Sequence, residues 1–371
     1  MNAIEQRIFE TFNVGGKPRP KPSETDLQWH VNPVDAPFRL AGFAWYAQDK
    51  IFRRMPKEPR HKLTDLVNML ANHTAGGQIQ FRTDSTRLAL KVTLLGPHAM
   101  DHMTAVGECG FDCYISEGGP SRYYSSTRFD RSKSEYECWM FLNLPKKMRT
   151  LTLYFPLYQG VKEVSVGLDS GSQIEAPPPY VVKNPVVVYG TSITQGGCAN
   201  RTGMAYTNIL ARRLNAEIIN LGFSGSGCGE PEVARTINEI ANPSMLVIDN
   251  DGNMRDLALI NERMPAFLSI LREVHKTTPI LVISRPRFST ETIFPDMIAY
   301  RNLRRDAYRK IVEDRRAQGD RNVEFFDGAN LYGDDVWEEC TVDGVHSTDL
   351  GYIFMAKALE PVFRKLLKLE K

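Results

Sequence analysis

The segment VVVYGTSITQGG (186–197) indicates the fold of the carboxyl-terminal half of the chain. Its first four residues form a short continuous apolar run, as expected of a strand buried on both faces of a parallel sheet. Gly190 ends this strand and a helix follows, so Ser192 is predicted to lie at the carboxyl edge of the sheet, where α/β proteins bind ligands. A serine in such a turn can act as a nucleophile or as the N-cap of the helix.

Strands and helices continue to alternate after this stretch. Four further apolar strands are predicted at EIINLG, SMLVIDND, PILVISRP and NVEFFDG, and segments with helical periodicity separate them. Such alternation predicts a parallel sheet covered by helices on both faces. We assign this α/β domain to residues 176–371.

The chain before this domain has a different pattern. Runs such as GQIQFRTD, RLALKVTLL and VKEVSVGLD alternate apolar and polar residues between turn residues, which predicts an all-β sandwich or barrel. The stretch SGSQIEAPPPY (170–180) contains three successive prolines and is the predicted linker. We assign residues 35–175 to a β-sandwich domain and residues 1–34 to an N-terminal arm. The segment before residue 70, which includes WHVNP and PFRLAGFAWY, should add one or two strands that pack on the sandwich.

Composition and charge limit the partners of the protein. The 371 residues include 46 Lys and Arg against 44 Asp and Glu, so the net charge of +2 favours neither nucleic acid nor an anionic membrane as a partner. No long apolar run and no export signal is visible in the sequence, which predicts a cytoplasmic protein as given, or a periplasmic or secreted one if a leader has been removed. We expect a small-molecule or oligosaccharide substrate, and a homo-oligomer stays open.

The cysteines and histidines do not form a recognisable metal site. Six cysteines are scattered without the paired C-x-x-C spacing of a zinc site, so no structural metal is predicted. Cys198 and Cys228 could form a disulfide, but two buried thiols are the preferred interpretation. His98 and His102 are four residues apart in a segment that begins with Gly-Pro, which does not favour a zinc-binding helix face. We expect a loop there, from which His102 could reach a site at the domain interface.

Three more polar segments follow predicted strands or precede the last helix. NLGFSGSG (220–227) supplies glycines, which allow a backbone N–H to approach a ligand closely. DNDGN (249–253) offers a side-chain amide, and in DGVH (343–346) an aspartate precedes a histidine by three positions, so that the acid can fix the tautomer of the ring. Each segment alone could be an ordinary turn.

Together and in this order, the four segments resemble the sequence blocks of SGNH hydrolases, also called GDSL-type esterases. The resemblance implies a three-layer, flavodoxin-like fold and a serine esterase without a metal or an organic cofactor. It also implies that Ser192 is the nucleophile, His346 the general base and Asp343 the acid that orients it. The implied oxyanion hole consists of the backbone N–H groups of Ser192 and Gly225 and the side-chain amide of Asn253.

Two positions depart from the family pattern. Thr191 stands where the G-D-S motif has aspartate, and Met254 follows Asn253 where an aspartate is common. Further upstream, GFDCY (110–114) resembles the G-x-D-L-Y motif of bacterial two-domain SGNH esterases, with Cys113 in place of leucine. That resemblance implies a jelly-roll-like sandwich beside the catalytic domain and acylated carbohydrates as substrates.

The sequence therefore predicts hydrolysis of short acyl esters, acetyl above all, on a carbohydrate. Arg285 and Arg287 lie at the end of PILVISRPRF and are, with His102, candidates for substrate binding. The arginines could equally cover the rim of the sheet. Two alternatives to the main prediction stay open: a lipase or thioesterase acting on longer acyl chains, and a carbohydrate-binding protein with an inactive site.

Overall fold

The chain folds into an amino-terminal β-sandwich and a carboxyl-terminal α/β domain, and the computed structural model describes residues 20–369. Within these residues, the antiparallel strands of the sandwich domain are β1 (Leu27–Val31), β2 (Arg39–Ala41), β3 (Gln78–Thr83), β4 (Leu88–Leu94), β5 (Asp112–Ser116), β6 (Arg122–Ser126), β7 (Glu135–Phe141), β8 (Arg149–Tyr154), β9 (Val161–Asp169) and β10 (Ile174–Glu175). The short helices of this domain are α1 (Tyr46–Asp49), α2 (Asp65–Leu70) and α3 (Ala105–Cys109).

The strands of this domain form two sheets that pack face to face. One sheet has the order β1-β9-β4-β7, and the other has the order β10-β3-β8-β5-β6, with β2 also paired to β3. Apolar side chains alternate along the strands: in β4, Leu90 and Val92 are buried between the sheets, whereas Lys91 is only partly buried. The predicted jelly-roll-like sandwich is therefore confirmed.

The sandwich begins earlier than the predicted boundary at residue 35. Residues 1–19 of the predicted arm lie outside the described residues, but Leu27–Val31 forms β1 and pairs with β9 along its whole length. This strand is one of those expected to pack on the sandwich from the amino-terminal segment, and LQWHV has the apolar–polar alternation of a strand, but the predicted boundary assigned it to the arm.

Within the described residues, the parallel strands of the second domain are β11 (Val182–Gly190), β12 (Ala216–Gly222), β13 (Met245–Asp249), β14 (Ile280–Ile283) and β15 (Val323–Phe326). Its helices are α4 (Ser192–Gln195), α5 (Tyr206–Leu214), α6 (Pro231–Ile237), α7 (Leu257–Val274), α8 (Pro295–Ala317) and α9 (Asp349–Leu366). None of the helices between residues 20 and 369 combines the length and the apolar character that crossing a membrane requires.

The strand order of the second domain places a ligand crevice beside β11. The order β12-β11-β13-β14-β15 is that of flavodoxin-like folds, and it reverses between β11 and β13, where such sheets bind ligands. Alternate valines of β11 enter two apolar cores: Val187 packs with α6, α7 and α8, whereas Val186 and Val188 pack with α5 and α9. The predicted α/β architecture is confirmed.

The GFDCY motif at the start of β5 joins the two domains. The buried carboxylate of Asp112 accepts hydrogen bonds from the Arg201 guanidinium (2.9 Å) and from Gly203 N–H (2.8 Å) in the α/β domain. The Tyr114 hydroxyl accepts a second hydrogen bond from Arg201 (2.6 Å), and the Arg212 guanidinium lies 4.0 Å from the centre of the Tyr114 ring. The motif thus holds the segment that follows the first helix of the α/β domain.

Arg54 makes a second contact between the domains. Its buried guanidinium donates hydrogen bonds to the carbonyls of Leu70 (2.8 Å) and His73 (2.7 Å) in the first domain. It also donates to the carbonyls of Asn220 (3.3 Å) and Gly222 at the end of β12. Burial lowers the pKa of Arg54 to about 9, because a buried positive charge is costly. The carbonyl oxygens of both domains offset part of this cost by accepting hydrogen bonds from the guanidinium.

Candidate active site

The candidate nucleophile lies in a tight turn between β11 and α4. Gly190 ends the strand, and a Cβ atom at this position would lie 2.1 Å from the Thr194 hydroxyl oxygen. Thr191 is the N-cap of α4, because its hydroxyl accepts a hydrogen bond from Ile193 N–H at 3.2 Å. The alternative that Ser192 caps the helix is therefore wrong, and the threonine that replaces the family's aspartate has this role.

Ser192, His346 and Asp343 form a continuous line of hydrogen bonds, although 154 positions separate the serine from the histidine. Ser192 Oγ lies 2.8 Å from His346 Nε2, and His346 Nδ1 lies 2.6 Å from Asp343 Oδ2. Asp343 Oδ1 accepts hydrogen bonds from the backbone N–H groups of Val345 (3.0 Å) and His346 (2.8 Å). This is the arrangement of a nucleophile, a general base and an acid that orients the base.

The environment of Asp343 keeps its carboxyl group ionised. Partial burial works to raise its pKa, but the hydrogen bonds from the N–H and the ring of His346 and from Val345 N–H outweigh burial and hold the pKa below its usual value. An ionised carboxylate at Nδ1 favours the tautomer that carries a proton there. The lone pair of Nε2 is then directed towards Ser192.

The two backbone amides predicted for the oxyanion hole are free to bind an anion. In the described part of the chain, neither Ser192 N–H nor Gly225 N–H has a hydrogen-bond acceptor. Gly225 has a φ of +63°, and no atom lies within 4 Å of the position that a Cβ would take, so the turn is open on that side. Such amides can stabilise the oxyanion of an acyl-transfer intermediate.

Asn253 lies at the end of β13, next to this turn, but its amide points elsewhere. The side chain donates hydrogen bonds to the carbonyls of Phe223 (3.1 Å) and Ser226. Both donor positions of the amide therefore hold the turn that carries Gly225. A direct hydrogen bond from Asn253 to an oxyanion requires one of these contacts to open.

Two polar residues that sequence analysis did not select brace the nucleophile turn. The buried Gln195 accepts a hydrogen bond from Ser224 N–H (3.1 Å) and donates one to the Leu157 carbonyl (3.1 Å). The hydroxyl of Tyr158, from the sandwich domain, donates to the carbonyl oxygen of Ser192 (3.1 Å). Gln195 belongs to the quoted stretch and could have been noticed as a polar residue on a buried helix, whereas Tyr158 gave no signal in the sequence.

A second carboxyl group lies directly beneath α4. Asp249, at the end of β13, is buried and accepts hydrogen bonds from the hydroxyls of Thr194 (2.9 Å) and Tyr206 (2.8 Å). Burial raises the pKa of Asp249 to about 7, although the two hydroxyls act in the opposite direction. This group therefore changes its protonation state near neutral pH.

The two arginines predicted at the rim of the sheet have different surroundings. Arg285 is buried and pairs with Glu291 at 2.7 Å, so it belongs to the packing of the rim and the structure does not support its predicted contact with substrate. Arg287 is partly exposed, pairs with Asp334 at 2.6 Å and lies 5.6 Å from the centre of the Trp337 ring. Arg287 is therefore still a candidate for substrate binding.

His102 of the sandwich domain reaches His346, with 5.8 Å between the two ring centroids in an edge-to-face arrangement. Cys198, in the loop after α4, lies beside both rings, and the three side chains could together hold a metal ion. Cys198 and Cys228 are both free thiols, as the preferred interpretation predicts. Burial, with a smaller effect of Asp343, raises the pKa of Cys198 to about 12.

A cavity of about 580 Å³ lies far from these residues. Trp45, Pro185 and Glu217 are among its lining residues, and the last two lie near the amino-terminal ends of β11 and β12. Because Ser192 follows the carboxyl end of β11, this cavity is at the opposite end of the sheet and does not belong to the catalytic site.

Comparison with known proteins gives matches to both domains. Residues 183–364 match the model of the GDSL-like lipase/acylhydrolase family, and residues 27–174 match the GxDLY model, the N-terminus of SGNH-hydrolase-type esterases. Among solved structures, a protein from Bacteroides ovatus described as a GDSL-like lipase is 29% identical with a TM-score of 0.84, and the match covers 92% of this chain and 99% of that chain.

Two more distant structures share the fold. A salicylyl-acyltransferase from a tetracycline biosynthetic pathway is 19% identical with a TM-score of 0.73, and the match covers 94% of this chain and 98% of that chain. A family two carbohydrate esterase from Clostridium thermocellum, in complex with cellohexaose, is 17% identical with a TM-score of 0.57, and the match covers 79% and 93% of the two chains. A search of curated proteins found no match.

Proposed function

Since the chain belongs to the GDSL-type (SGNH) hydrolases and carries their GxDLY amino-terminal domain, we propose that it is a serine esterase that removes short acyl groups, acetyl above all, from a carbohydrate. The observation that carries the proposal is the line of hydrogen bonds from Asp343 through His346 to Ser192 at the carboxyl edge of the sheet. Ligands of flavodoxin-like domains bind at this edge.

In the proposed reaction, Ser192 Oγ attacks the carbonyl carbon of the ester while His346 Nε2 accepts the hydroxyl proton. The tetrahedral intermediate collapses, His346 returns the proton to the leaving alcohol, and Asp343 stabilises the imidazolium in between. A water molecule then attacks the acyl-serine with His346 again as the base. This step releases the carboxylic acid and restores Ser192.

The oxyanion of each tetrahedral intermediate would be bound by the free amides of Ser192 and Gly225. Tyr158 and Gln195 hold the nucleophile turn in position. Tyr158 donates a hydrogen bond to the Ser192 carbonyl, and Gln195 accepts one from the N–H of Ser224, next to Gly225. Asn253 contributes at least by holding the turn of Gly225.

A short acyl group is supported by the burial of the nucleophile. Ser192 is only 6% exposed, and Tyr158, which contacts its carbonyl oxygen, is equally buried. A long acyl chain, as in the lipase alternative, needs an apolar groove that leads away from the serine. The cavity of about 580 Å³ does not provide it, because this cavity lies at the other end of the sheet.

A carbohydrate alcohol is supported by the polar and aromatic side chains near the loop of His346. Arg287, Asp334 and Trp337 combine a cation, a carboxylate and an indole ring, which are groups that hydrogen-bond to and stack on sugars. The carbohydrate esterase from Clostridium thermocellum uses the same fold, which makes an acylated sugar the natural substrate to test first.

Hydrolysis of p-nitrophenyl esters of increasing chain length tests the proposal. We expect the wild type to prefer acetate, and Ser192→Ala to lower kcat by about 10⁴-fold or more while the circular dichroism spectrum is unchanged. Ser132→Ala, on an exposed loop of the sandwich, is the matched control and should retain full activity.

The outcomes separate the alternatives. A preference for long acyl chains would favour the lipase or thioesterase, and the absence of hydrolysis with every ester in a folded protein would favour the carbohydrate-binding protein. If acetate is preferred, release of acetic acid from acetylated oligosaccharides tests the alcohol. Trp337→Ala should then raise KM on the sugar substrate but not on p-nitrophenyl acetate.

A further inference from the structure

Three metal-ligating side chains from both domains meet beside the nucleophile. His102 comes from the sandwich domain, Cys198 from the loop after α4, and His346 from the loop before α9. One ligand atom of each side chain lies within 4.8 Å of the ligand atoms of the other two. Two imidazoles and a thiolate are the ligand types that zinc and cobalt prefer, so the donor set matches a transition-metal site with one open position.

Both histidines already have the outer partners that metal-binding histidines usually have. His102 Nδ1 lies 3.1 Å from Asp101 Oδ1, and His346 Nδ1 lies 2.6 Å from Asp343 Oδ2. A carboxylate at Nδ1 fixes the ring and leaves Nε2 as the nitrogen that can bind a metal. In both rings the carboxylate contact is made through Nδ1, so Nε2 is the nitrogen that can bind a metal.

Cys198 is held in an unusual backbone conformation. Its φ is +66°, in the left-handed region that residues other than glycine rarely adopt. The following residue, Ala199, is fixed against the sandwich domain, because a Cβ on Gly107 would lie 2.1 Å from its carbonyl oxygen. Such a conformation costs free energy and persists only where the surroundings impose it.

The loop that carries His102 is also held firmly. The buried carboxylate of Glu108 accepts hydrogen bonds from the backbone N–H groups of Ala99 (3.0 Å) and Met100 (3.1 Å) and pairs with His98 Nδ1 at 2.5 Å. Thr104 then donates a hydrogen bond to the carbonyl of Asn200 (2.5 Å), two residues after Cys198. The ligands are therefore presented by two segments that are joined to each other.

We propose that His102, Cys198 and His346 bind Zn²⁺ or a similar divalent transition metal, and that the bound metal inhibits the enzyme. Binding replaces the Ser192 hydroxyl at His346 Nε2 with the metal, releases the thiol proton of Cys198 to solvent, and leaves a fourth position for water. With its lone pair on the metal, His346 cannot accept a proton from Ser192. The inhibitory effect rests on the proposed esterase function, whereas the metal site itself does not.

Cobalt binding tests the site without any assay of activity. Co²⁺ added to the folded protein, in a reductant that does not chelate metals, should give a thiolate-to-cobalt charge-transfer band in the near ultraviolet. Cys198→Ser should abolish the band, and Cys198→Gly, which favours the left-handed conformation, should abolish it without loss of folding. Cys138→Ser, in the core of the sandwich, is the control and should keep the band.

Inhibition by Zn²⁺ tests the consequence of binding. His102→Asn and Cys198→Gly should raise the Zn²⁺ concentration for half-inhibition by about tenfold or more, each measured against the variant's own activity without metal. His61→Asn is the matched histidine control and should behave as the wild type.

Each outcome supports or overturns the site. A wild type that gives no cobalt band, or a band that survives in both Cys198 variants, overturns the site even if the esterase is active. A band without esterase activity supports the metal site and contradicts the proposed function instead. Zn²⁺ inhibition that is equal in the wild type and in the His102 and Cys198 variants overturns the inhibitory role.

Discussion

The two parts of the candidate active site are built in different ways. The acid–base part lies on one short loop, where Asp343 accepts hydrogen bonds from both the backbone and the ring of His346. The oxyanion part is assembled from the ends of three neighbouring strands, β11, β12 and β13, and is braced by Tyr158 from the other domain. The first part depends on local spacing, whereas the second depends on how strands and domains pack.

This difference has a consequence for which residues matter. In the acid–base part, function should depend on the two side chains themselves, because they hold each other. In the oxyanion part, function should also depend on residues that never touch a substrate, since these hold the backbone amides in place. Substitutions in the two parts can therefore test the comparison.

The largest effect is expected in the acid–base part. Asp343→Asn removes the charge that fixes the tautomer of His346, and we expect kcat on p-nitrophenyl acetate to fall by about 10⁴-fold with little change in KM. Asp335→Asn, at an exposed position before the same loop, should leave kcat unchanged. A loss of less than tenfold for Asp343→Asn would show that this part does not depend on its acid.

The second effect concerns the end of β13. Asn253→Ala should lower kcat by about 100-fold or more in a folded protein, because it removes a donor or releases the turn that carries Gly225. Steady-state kinetics with p-nitrophenyl acetate measure this loss, and Asn322→Ala, at an exposed position, is the control. An unchanged kcat would remove Asn253 from the oxyanion part.

A smaller effect is expected for a residue that only positions the site. Gln195→Met keeps the size of the side chain but removes the hydrogen bonds to Ser224 and Leu157. We expect kcat to fall by about tenfold, because a small misplacement of the amides weakens the bound transition state, and KM to stay the same. The exposed Gln173→Met is the matched control, and equal kcat values for the two variants would contradict the assembled nature of the oxyanion part.

The last test concerns stability. Asp343, in the acid–base part, and Asp249, beneath the nucleophile helix, have opposite pKa shifts. The lowered pKa of Asp343 adds stability above its unfolded pKa, and this is lost as the pH falls through its folded value. Asp249, with a pKa raised to about 7, keeps its proton when folded but loses it when unfolded above about pH 4. The free energy of unfolding should therefore fall from about pH 4 to about pH 7, by at most about 1.4 kcal/mol per pH unit from this group.

Urea unfolding of the wild type and of Asp249→Asn across this pH range measures the effect of Asp249. The asparagine variant cannot titrate, so its free energy of unfolding should change less between about pH 4 and pH 7. Asp314→Asn, at an exposed position on α8, is the control. Identical pH dependence in the wild type and Asp249→Asn would mean that Asp249 has an ordinary pKa.

Much of the fold could be predicted because periodicity is a local property. Alternation identified the strands of the sandwich, and the apolar run of β11 identified the parallel sheet. Strands were expected in the amino-terminal segment, but the boundary at residue 35 left β1 in the arm, because only its pairing with β9, far along the chain, shows that Leu27–Val31 belongs to the sandwich. Ser192 could be predicted because it directly follows an apolar strand, and Asp343 and His346 because they are only three positions apart in the sequence.

The remaining features depend on contacts that periodicity does not report. Arg285 was a candidate either for substrate binding or for covering the rim of the sheet, and its buried ion pair with Glu291 favours the rim. Tyr158 and Asp112 act on the other domain, so their partners could not be inferred from their neighbours in sequence. The domain interface, which the sequence does not describe, brings Tyr158 to the nucleophile turn and Asp112 to Arg201.

The hydrogen-bond partners of the buried Arg54 are synthesised at different times. Its first carbonyl partners follow within 19 residues of the chain, whereas those on β12 follow 166 and 168 residues later. While the ribosome is still making the second domain, the completed sandwich carries a guanidinium whose last acceptors do not yet exist. Until β12 is synthesised, water has to hydrate the part of the Arg54 guanidinium that the carbonyls of Asn220 and Gly222 later bind.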